Sequence, residues 1–98
     1  MYQLIFHPEA NVDFSDGYVW YETEQKGLGN RFTEAIKNTL DRIQKQPELF
    51  HKVRNNFREA SVSVFPYTVV YRVNKRAKTI VIAAIYHAKR NPKRKFRR

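Results

Sequence analysis

One stretch of 28 residues decides the fold: FPYTVVYRV (65–73), NKRAK (74–78) and TIVIAAIYHAKRNP (79–92). By alternation along the first segment, Tyr71 falls on one side of a strand and Arg72 on the other. The third segment is apolar on both sides, with Ile82 and Ala84 on one and Ile85 on the other. This is typical of a central strand, because only a covered strand buries both sets of side chains. We therefore predict a long β-hairpin whose second strand lies inside a sheet and ends in a run of cations.

Two helices are predicted before the hairpin. Pro8 suits a first helical turn, and aromatic residues recur at helical spacing up to Tyr21, so the first helix is expected over about residues 8–25, with Gly17 as a weak point. The breaker cluster KGLGN (26–30) separates it from a second helix that ends before Pro47. The second helix has apolar residues or threonine at every third or fourth position: Phe32, Ala35, Ile36, Thr39, Leu40 and Ile43. Helices joined by so short a turn form an antiparallel pair.

Two shorter strands complete the prediction. YQLIF (2–6) is a β-type run, and residues 57–64 alternate between apolar and polar until Pro66 interrupts the ladder. The order β-α-α-β-β-β predicts an α+β domain in which an antiparallel helical hairpin packs on one face of a mostly antiparallel four-stranded sheet. The other face is expected to be open, with Arg58 and Arg72 projecting from it.

The charge is divided unevenly along the chain. The net charge is +10, and residues 51–98 hold fourteen Lys/Arg against one acidic residue, Glu59. Residues 1–50 hold five Lys/Arg against eight Asp/Glu. Such an asymmetry predicts a one-sided positive field and a partner that is nucleic acid or an acidic protein segment. The alternative is a basic tail that serves solubility only.

Several classes of protein are excluded. The chain has no cysteine, and His7 and His51 stand far apart without a second ligand at helical spacing, so we predict no metal site and no cofactor. No apolar run reaches the roughly 20 residues of a membrane span, and residues 1–10 lack the features of a signal peptide. We expect a cytoplasmic protein that does not bind membranes.

Five short segments together resemble the RelE/ParE toxin superfamily: HPEA (7–10) with Asp13, GLGNRF (27–32), PELF (47–50), FPYTVVYRV (65–73) and IYHAKRNP (85–92). The resemblance runs from residue 2 to about residue 92. It implies a single toxin domain over residues 1–92, followed by a basic tail at 93–98. It also implies the toxin of a type II toxin–antitoxin pair, of the kind associated with plasmid stabilisation. The expected partner is a cognate antitoxin with an acidic or amphipathic segment that wraps the toxin.

The superfamily has two branches that differ in target. RelE-like members cleave mRNA in the ribosomal A site without a metal, whereas ParE-like members lack that catalytic set and poison DNA gyrase. The candidates for RNA chemistry in this chain are Arg58, Tyr67, Arg72, His87, Lys89 and Arg90. The cations Lys89 and Arg90 should favour neutral His87, which would suit a general base. The alternatives are that His87 caps the end of the strand and that Tyr67 packs in the core.

The cations favour the ParE-like branch. RelE-like enzymes carry several Lys/Arg in the strand before the FPY segment, whereas positions 59–66 of this chain hold none. The predicted contacts with gyrase are Arg72, His87, Lys89 and Arg90, with Lys93, Arg94 and the rest of the tail adding long-range attraction. Two alternatives stay open. One is a RelE-type endonuclease that acts on ribosome-bound mRNA, and the other is a basic nucleic-acid-binding module that uses the tail.

Overall fold

Two helices and five strands occupy residues 1–88, which are the residues that the computed structural model describes. The elements are β1 (Gln3–Phe6), α1 (Pro8–Glu24), α2 (Leu28–Lys45), β2 (His51–Lys52), β3 (Phe57–Ser61), β4 (Tyr67–Asn74) and β5 (Thr79–His87), with a 3₁₀ turn at Arg54–Asn56. The sheet order is β1-β5-β4-β3-β2. β1 runs parallel to β5, and the other neighbours are antiparallel. The predicted α+β architecture is confirmed.

The sheet has five strands rather than the predicted four. The additional strand, β2, is two residues long and pairs with Arg58 and Glu59 at the edge of the sheet. It lies in the segment 47–56, between the predicted second helix and the predicted strand from residue 57. Two residues are too few to show an alternating pattern, so the sequence carries no signal for this strand.

β5 lies between β1 and β4, which confirms that it is a central strand. A β-bulge interrupts its ladder: Val70 pairs with Ala84, but Tyr71 pairs with Ile82. The extra residue turns Ile85 to the face that Ile82 occupies, so the prediction of opposite faces for these two residues was wrong. The backbone N–H of Ile85 donates instead to Oδ2 of Asp13 on α1, at 3.0 Å.

α1 begins at a cap formed by His7, whose Nδ1 accepts a hydrogen bond from the N–H of Glu9 at 3.1 Å. The helix runs without interruption through Gly17, which is buried rather than a weak point. A Cβ at position 17 would lie 2.8 Å from Cζ of Phe32 on α2, so glycine permits the two helices to approach closely. In residues 1–88 neither helix is long and apolar enough to cross a membrane.

The turn between the helices depends on Glu22. Gly27 is the N-cap of α2 and has a φ of 90°, a left-handed conformation that glycine adopts without strain. The Glu22 carboxylate accepts from the N–H of Gly27 at 3.0 Å and from that of Gly29 at 3.0 Å. It thereby takes the place of a side-chain cap for α2. This geometry accounts for the two glycines of the GLGNRF segment.

Both faces of the sheet bury apolar residues. The helices cover one face, and the largest side chains there include Phe32, Ile36, Tyr71 and Ile82. A smaller cluster covers the middle of the open face: Phe57, Val70, Ala83 and Ala84, with Val53 and Tyr86 packed against it. β3 ends before Val64, which has a φ of 75° and is 87% exposed, so the predicted alternation to residue 64 was wrong.

Candidate functional site

The sheet divides the candidate residues between its two faces. Arg58 is the cross-strand partner of Tyr71, and His87 is the partner of Tyr67. Directly paired residues project to the same side of a sheet, and Tyr67 and Tyr71 both belong to the core beneath the helices. Arg58, Tyr67 and His87 therefore lie on the helix face, whereas Arg72 lies on the open face. The prediction that Arg58 projects from the open face was wrong.

Arg58 holds the loop that follows α2. Its Nη1 donates to the carbonyl oxygen of Phe50 at 2.8 Å and to that of Glu48 at 3.2 Å. The hydroxyl of the neighbouring Tyr71 donates to the carbonyl oxygen of Pro47 at 2.8 Å. Burial raises the pKa of Tyr71 to about 12, and the positive charge of Arg58 acts in the opposite direction. Arg58 and Tyr71 therefore fix the PELF segment, which explains why a cation at position 58 faces the helix side.

Tyr67 packs in an aromatic cluster. Its ring centroid lies 5.0 Å from that of Phe32 and 6.1 Å from that of Tyr21, and the residue is 4% exposed. The imidazole of His87 also contacts the Tyr67 ring, with centroids 5.3 Å apart and an interplanar angle of 80°. Among the candidates in residues 1–88, this is the pair that the fold brings into contact. Tyr71, four positions along β4, lies about 13 Å from Tyr67 at the usual rise of a strand, so Arg58 is remote from this pair.

Arg72 is exposed on the open face and lies over an aromatic ring. Its guanidinium carbon is 4.2 Å from the ring centroid of Phe57, its cross-strand partner. A guanidinium stacked on a ring keeps its N–H edges available for a ligand. Of the predicted target contacts in the described residues, Arg72 is the one presented to solvent as a cation.

The neighbouring positions on the open face carry no cation. Glu59 is the partner of Val70, and Ser61 is the partner of Thr68, so these four residues line the open face of β3 and β4. They contribute one carboxylate, two hydroxyls and an apolar side chain. A carboxylate at this position repels phosphate.

The remaining predicted contacts, Lys89, Arg90, Lys93 and Arg94, lie outside the described residues, as does the boundary between domain and tail. Their grouping around the end of β5 stays a prediction. Residues 1–88 contain no group of three or more His, Asp or Glu side chains placed to hold a metal ion.

The open face also carries a cleft that the sequence did not lead us to expect. It lies between the 3₁₀ turn and the end of β4, and it is lined by Asn55, Asn56, Arg72, Asn74 and Lys75 together with Val73 and Val81. Asn55 and Asn56 have φ values of 57° and 64°. Asparagine tolerates this left-handed conformation better than most residues. The Asn-Asn pair before Phe57 was the available signal for a turn at this position.

Comparison with known proteins gives one family and several similar structures. Residues 4–92 match the family described as the ParE toxin of the type II toxin–antitoxin system parDE. The fold is similar to the chromosomal ParDE system of P. aeruginosa, with a TM-score of 0.67, 16% identity, and coverage of 91% of this chain and 98% of that one. A search of the curated proteins found no match.

Two RelE structures are similar as well. The intact E. coli RelBE toxin–antitoxin complex gives a TM-score of 0.70 at 19% identity, covering 92% of this chain and 100% of that one. The isolated E. coli RelE toxin gives a TM-score of 0.70 at 19% identity, covering 94% and 89%. At these identities the structural likeness extends to the fold alone.

Proposed function

Since the chain belongs to the ParE toxin family of type II toxin–antitoxin systems, we propose that it inhibits bacterial growth by binding DNA gyrase in the cytoplasm. On this proposal the toxin acts as a binding protein and not as a nuclease. The resemblance of its sequence to ParE-like toxins supplies the target, and the chemistry of the open face supports the choice.

The supporting observation is that Arg72, near the end of β4, is the one cation that the described residues of β3 and β4 present on the open face. RNA cleavage without a metal requires charged donors near the scissile phosphate and an acid and a base within about 2.6–3.2 Å of the atoms they serve. Glu59, Ser61 and Thr68 supply no such charge. The guanidinium of Arg58 donates to the loop carbonyls of Glu48 and Phe50 on the other face. Arg58 is therefore a structural residue in this proposal.

The gyrase contacts proposed here are Arg72 on the open face and His87 on the helix face, together with Lys89, Arg90, Lys93 and Arg94. The ParDE and RelBE complexes pair a toxin with an antitoxin. By analogy, the chain is neutralised by a cognate antitoxin. An acidic or amphipathic segment of that antitoxin would cover the cations and keep them from the target.

A supercoiling assay with purified gyrase tests the proposal. Toxin in stoichiometric amounts should inhibit supercoiling, and expression in a bacterial host should induce the SOS response before translation stops. Arg90→Ala should weaken inhibition. Lys26→Ala, which removes an exposed cation from the turn between the helices, should not. Full supercoiling in the presence of excess folded toxin would rule the proposal out.

One observation favours the alternative of a RelE-type endonuclease that acts on ribosomes and mRNA. The ring contact between Tyr67 and His87 places an imidazole and a phenol together at the end of β5, next in sequence to Lys89 and Arg90. This alternative predicts A-site cleavage of mRNA in a translation extract, and loss of cleavage in His87→Ala or Arg90→Ala. Intact mRNA after incubation with toxin would count against it.

A further inference from the structure

We propose that the cleft lined by Asn55, Asn56, Arg72, Asn74 and Lys75, with Val73 and Val81, binds the phosphate backbone of duplex DNA. The cleft shares Arg72 with the proposed gyrase contacts but lies apart from the end of β5, and its occupation by DNA does not require that the toxin binds gyrase. Three observations support the proposal: the contact between Arg72 and the Phe57 ring, the positive charge of the described lining, and the lack of large exposed apolar or aromatic side chains in that lining.

The guanidinium of Arg72 is preorganised for ligand binding by its contact with an aromatic ring. It lies 4.2 Å from the ring centroid of Phe57, and Phe57 itself is 1% exposed. The ring fixes the plane of the guanidinium, so less side-chain entropy is lost when the N–H groups bind a phosphate in a bidentate manner. The carboxamides of Asn55, Asn56 and Asn74 add neutral donors around the same space.

The charge of the cleft suits an anion. Its described lining contributes two cations, Arg72 and Lys75, and no acidic residue. Lys75 pairs with Glu48 at 3.0 Å, but both side chains are largely exposed. Such surface pairs contribute about 0–1 kcal/mol, so Lys75 can exchange the carboxylate for a phosphate at small cost.

The charged side chains of the lining favour nucleic acid over protein. Val73 and Val81 contribute apolar surface to the cleft, but none of the large apolar side chains that are exposed in residues 1–88 lines it. Protein interfaces bury an apolar centre, whereas nucleic-acid interfaces are polar and positively charged. Among residues 1–88, no aromatic residue lines the cleft, and Arg72 lies over the ring of nearby Phe57. Single strands bind largely by stacking, so a duplex is the expected occupant.

The test measures binding of a labelled duplex of about 20 base pairs by fluorescence anisotropy, with full-length toxin, between about 50 and 300 mM salt. The cleft variant is Arg72→Gln/Lys75→Gln. The control, Lys26→Gln/Lys37→Gln, removes the same charge from exposed positions on the helical side. Losing two phosphate contacts makes the salt slope shallower by up to about 1.8, which corresponds to about 60-fold weaker binding at 0.1 M salt. The control should retain the wild-type slope.

Three outcomes would overturn the proposal. Equal losses of DNA affinity in the cleft variant and the control would mean that the cations act only through the overall positive charge of the protein. No loss in the cleft variant would mean that the tail accounts for binding. A cleft variant that loses affinity only for single-stranded RNA, or only for poly-glutamate, would assign the cleft to another class of ligand. Circular dichroism melting confirms that both variants are folded, and an assay without gyrase keeps this test separate from that of the proposed function.

Discussion

Arg58 provides the sharpest test of whether a sequence-predicted catalytic residue is structural. The substitution Arg58→Ala removes two hydrogen bonds from a charged donor to the loop after α2, at 2.8 Å and 3.2 Å. After this substitution the carbonyl oxygens of Phe50 and Glu48 no longer accept hydrogen bonds from residue 58. The carbonyl of Phe50 is the greater concern, because its hydrogen bond is partly buried and water reaches it less easily.

The expected cost follows from these two bonds. A hydrogen bond to a charged group contributes about 1.5–3 kcal/mol when it is shielded from water. The longer, exposed bond to Glu48 contributes at most about 0.5 kcal/mol more. We therefore expect the free energy of unfolding to fall by about 2–3 kcal/mol. In a domain of this size that corresponds to a decrease in Tm of about 10–20 °C.

The assay combines thermal unfolding with growth inhibition. Arg58→Lys keeps the charge but loses the fork of donors, so its Tm should lie between those of wild type and Arg58→Ala. Lys52→Ala removes an exposed cation from the strand position paired with Arg58 and should change Tm by no more than about 2 °C. Below its melting temperature, Arg58→Ala should still arrest growth.

The opposite pattern would refute the reasoning. If Arg58→Ala has the same Tm as wild type but no longer arrests growth, Arg58 acts on the target and its loop contacts do not contribute to stability. That result would also favour the endonuclease alternative.

Three further predictions concern the packing of the core. Between pH 10 and 12 the buried, protonated Tyr71 should make the folded state bind more protons than the unfolded state. Wild type should therefore lose about 3 kcal/mol of unfolding free energy that it holds in full below pH 10, and urea titrations of Tyr71→Phe should lack this loss. Gly17→Ala should lower the free energy of unfolding by about 1–2 kcal/mol although alanine has the better helix propensity, because the added Cβ would lie 2.8 Å from the fully buried Phe32 ring. Asp13→Ala should cost about 1–3 kcal/mol and speed amide exchange of Ile85, whereas Asp13→Asn, which keeps an acceptor, should cost less.

The elements with a strong period were predictable from sequence. α2 ends at Lys45, next to the predicted stop before Pro47, because its buried residues keep one stripe over the whole helix. β5 was recognised as central because both of its sides are apolar. In both cases the burial pattern extends over many residues, so no single contact decides the result.

The bulge was not predictable, because it depends on one distant partner. Strict alternation gave the wrong face for Ile85, since the sequence does not show that Asp13 will accept its backbone N–H. Arg58 was assigned to the open face together with Arg72, although alternation with the buried Ala60 and Val62 places it on the helix side. The loop carbonyls that it binds are 8 and 10 residues away in sequence. Val64 misled the prediction of β3 because Pro66 ends the pairing earlier than the pattern suggests.

The candidate site was predicted only in part for a related reason: the sequence counts charges but does not show which are available. Arg58 is engaged by its own loop, whereas Arg72 is presented to solvent by Phe57. The cleft at Arg72 lies toward the β4–β5 turn, and the chain continues toward its basic tail from the other end of β5. Nine residues of strand separate these ends, a distance of about 26 Å at the usual rise. A partner that contacts both ends of β5 must span this distance, which takes about eight residues of extended peptide or about eight base pairs of duplex.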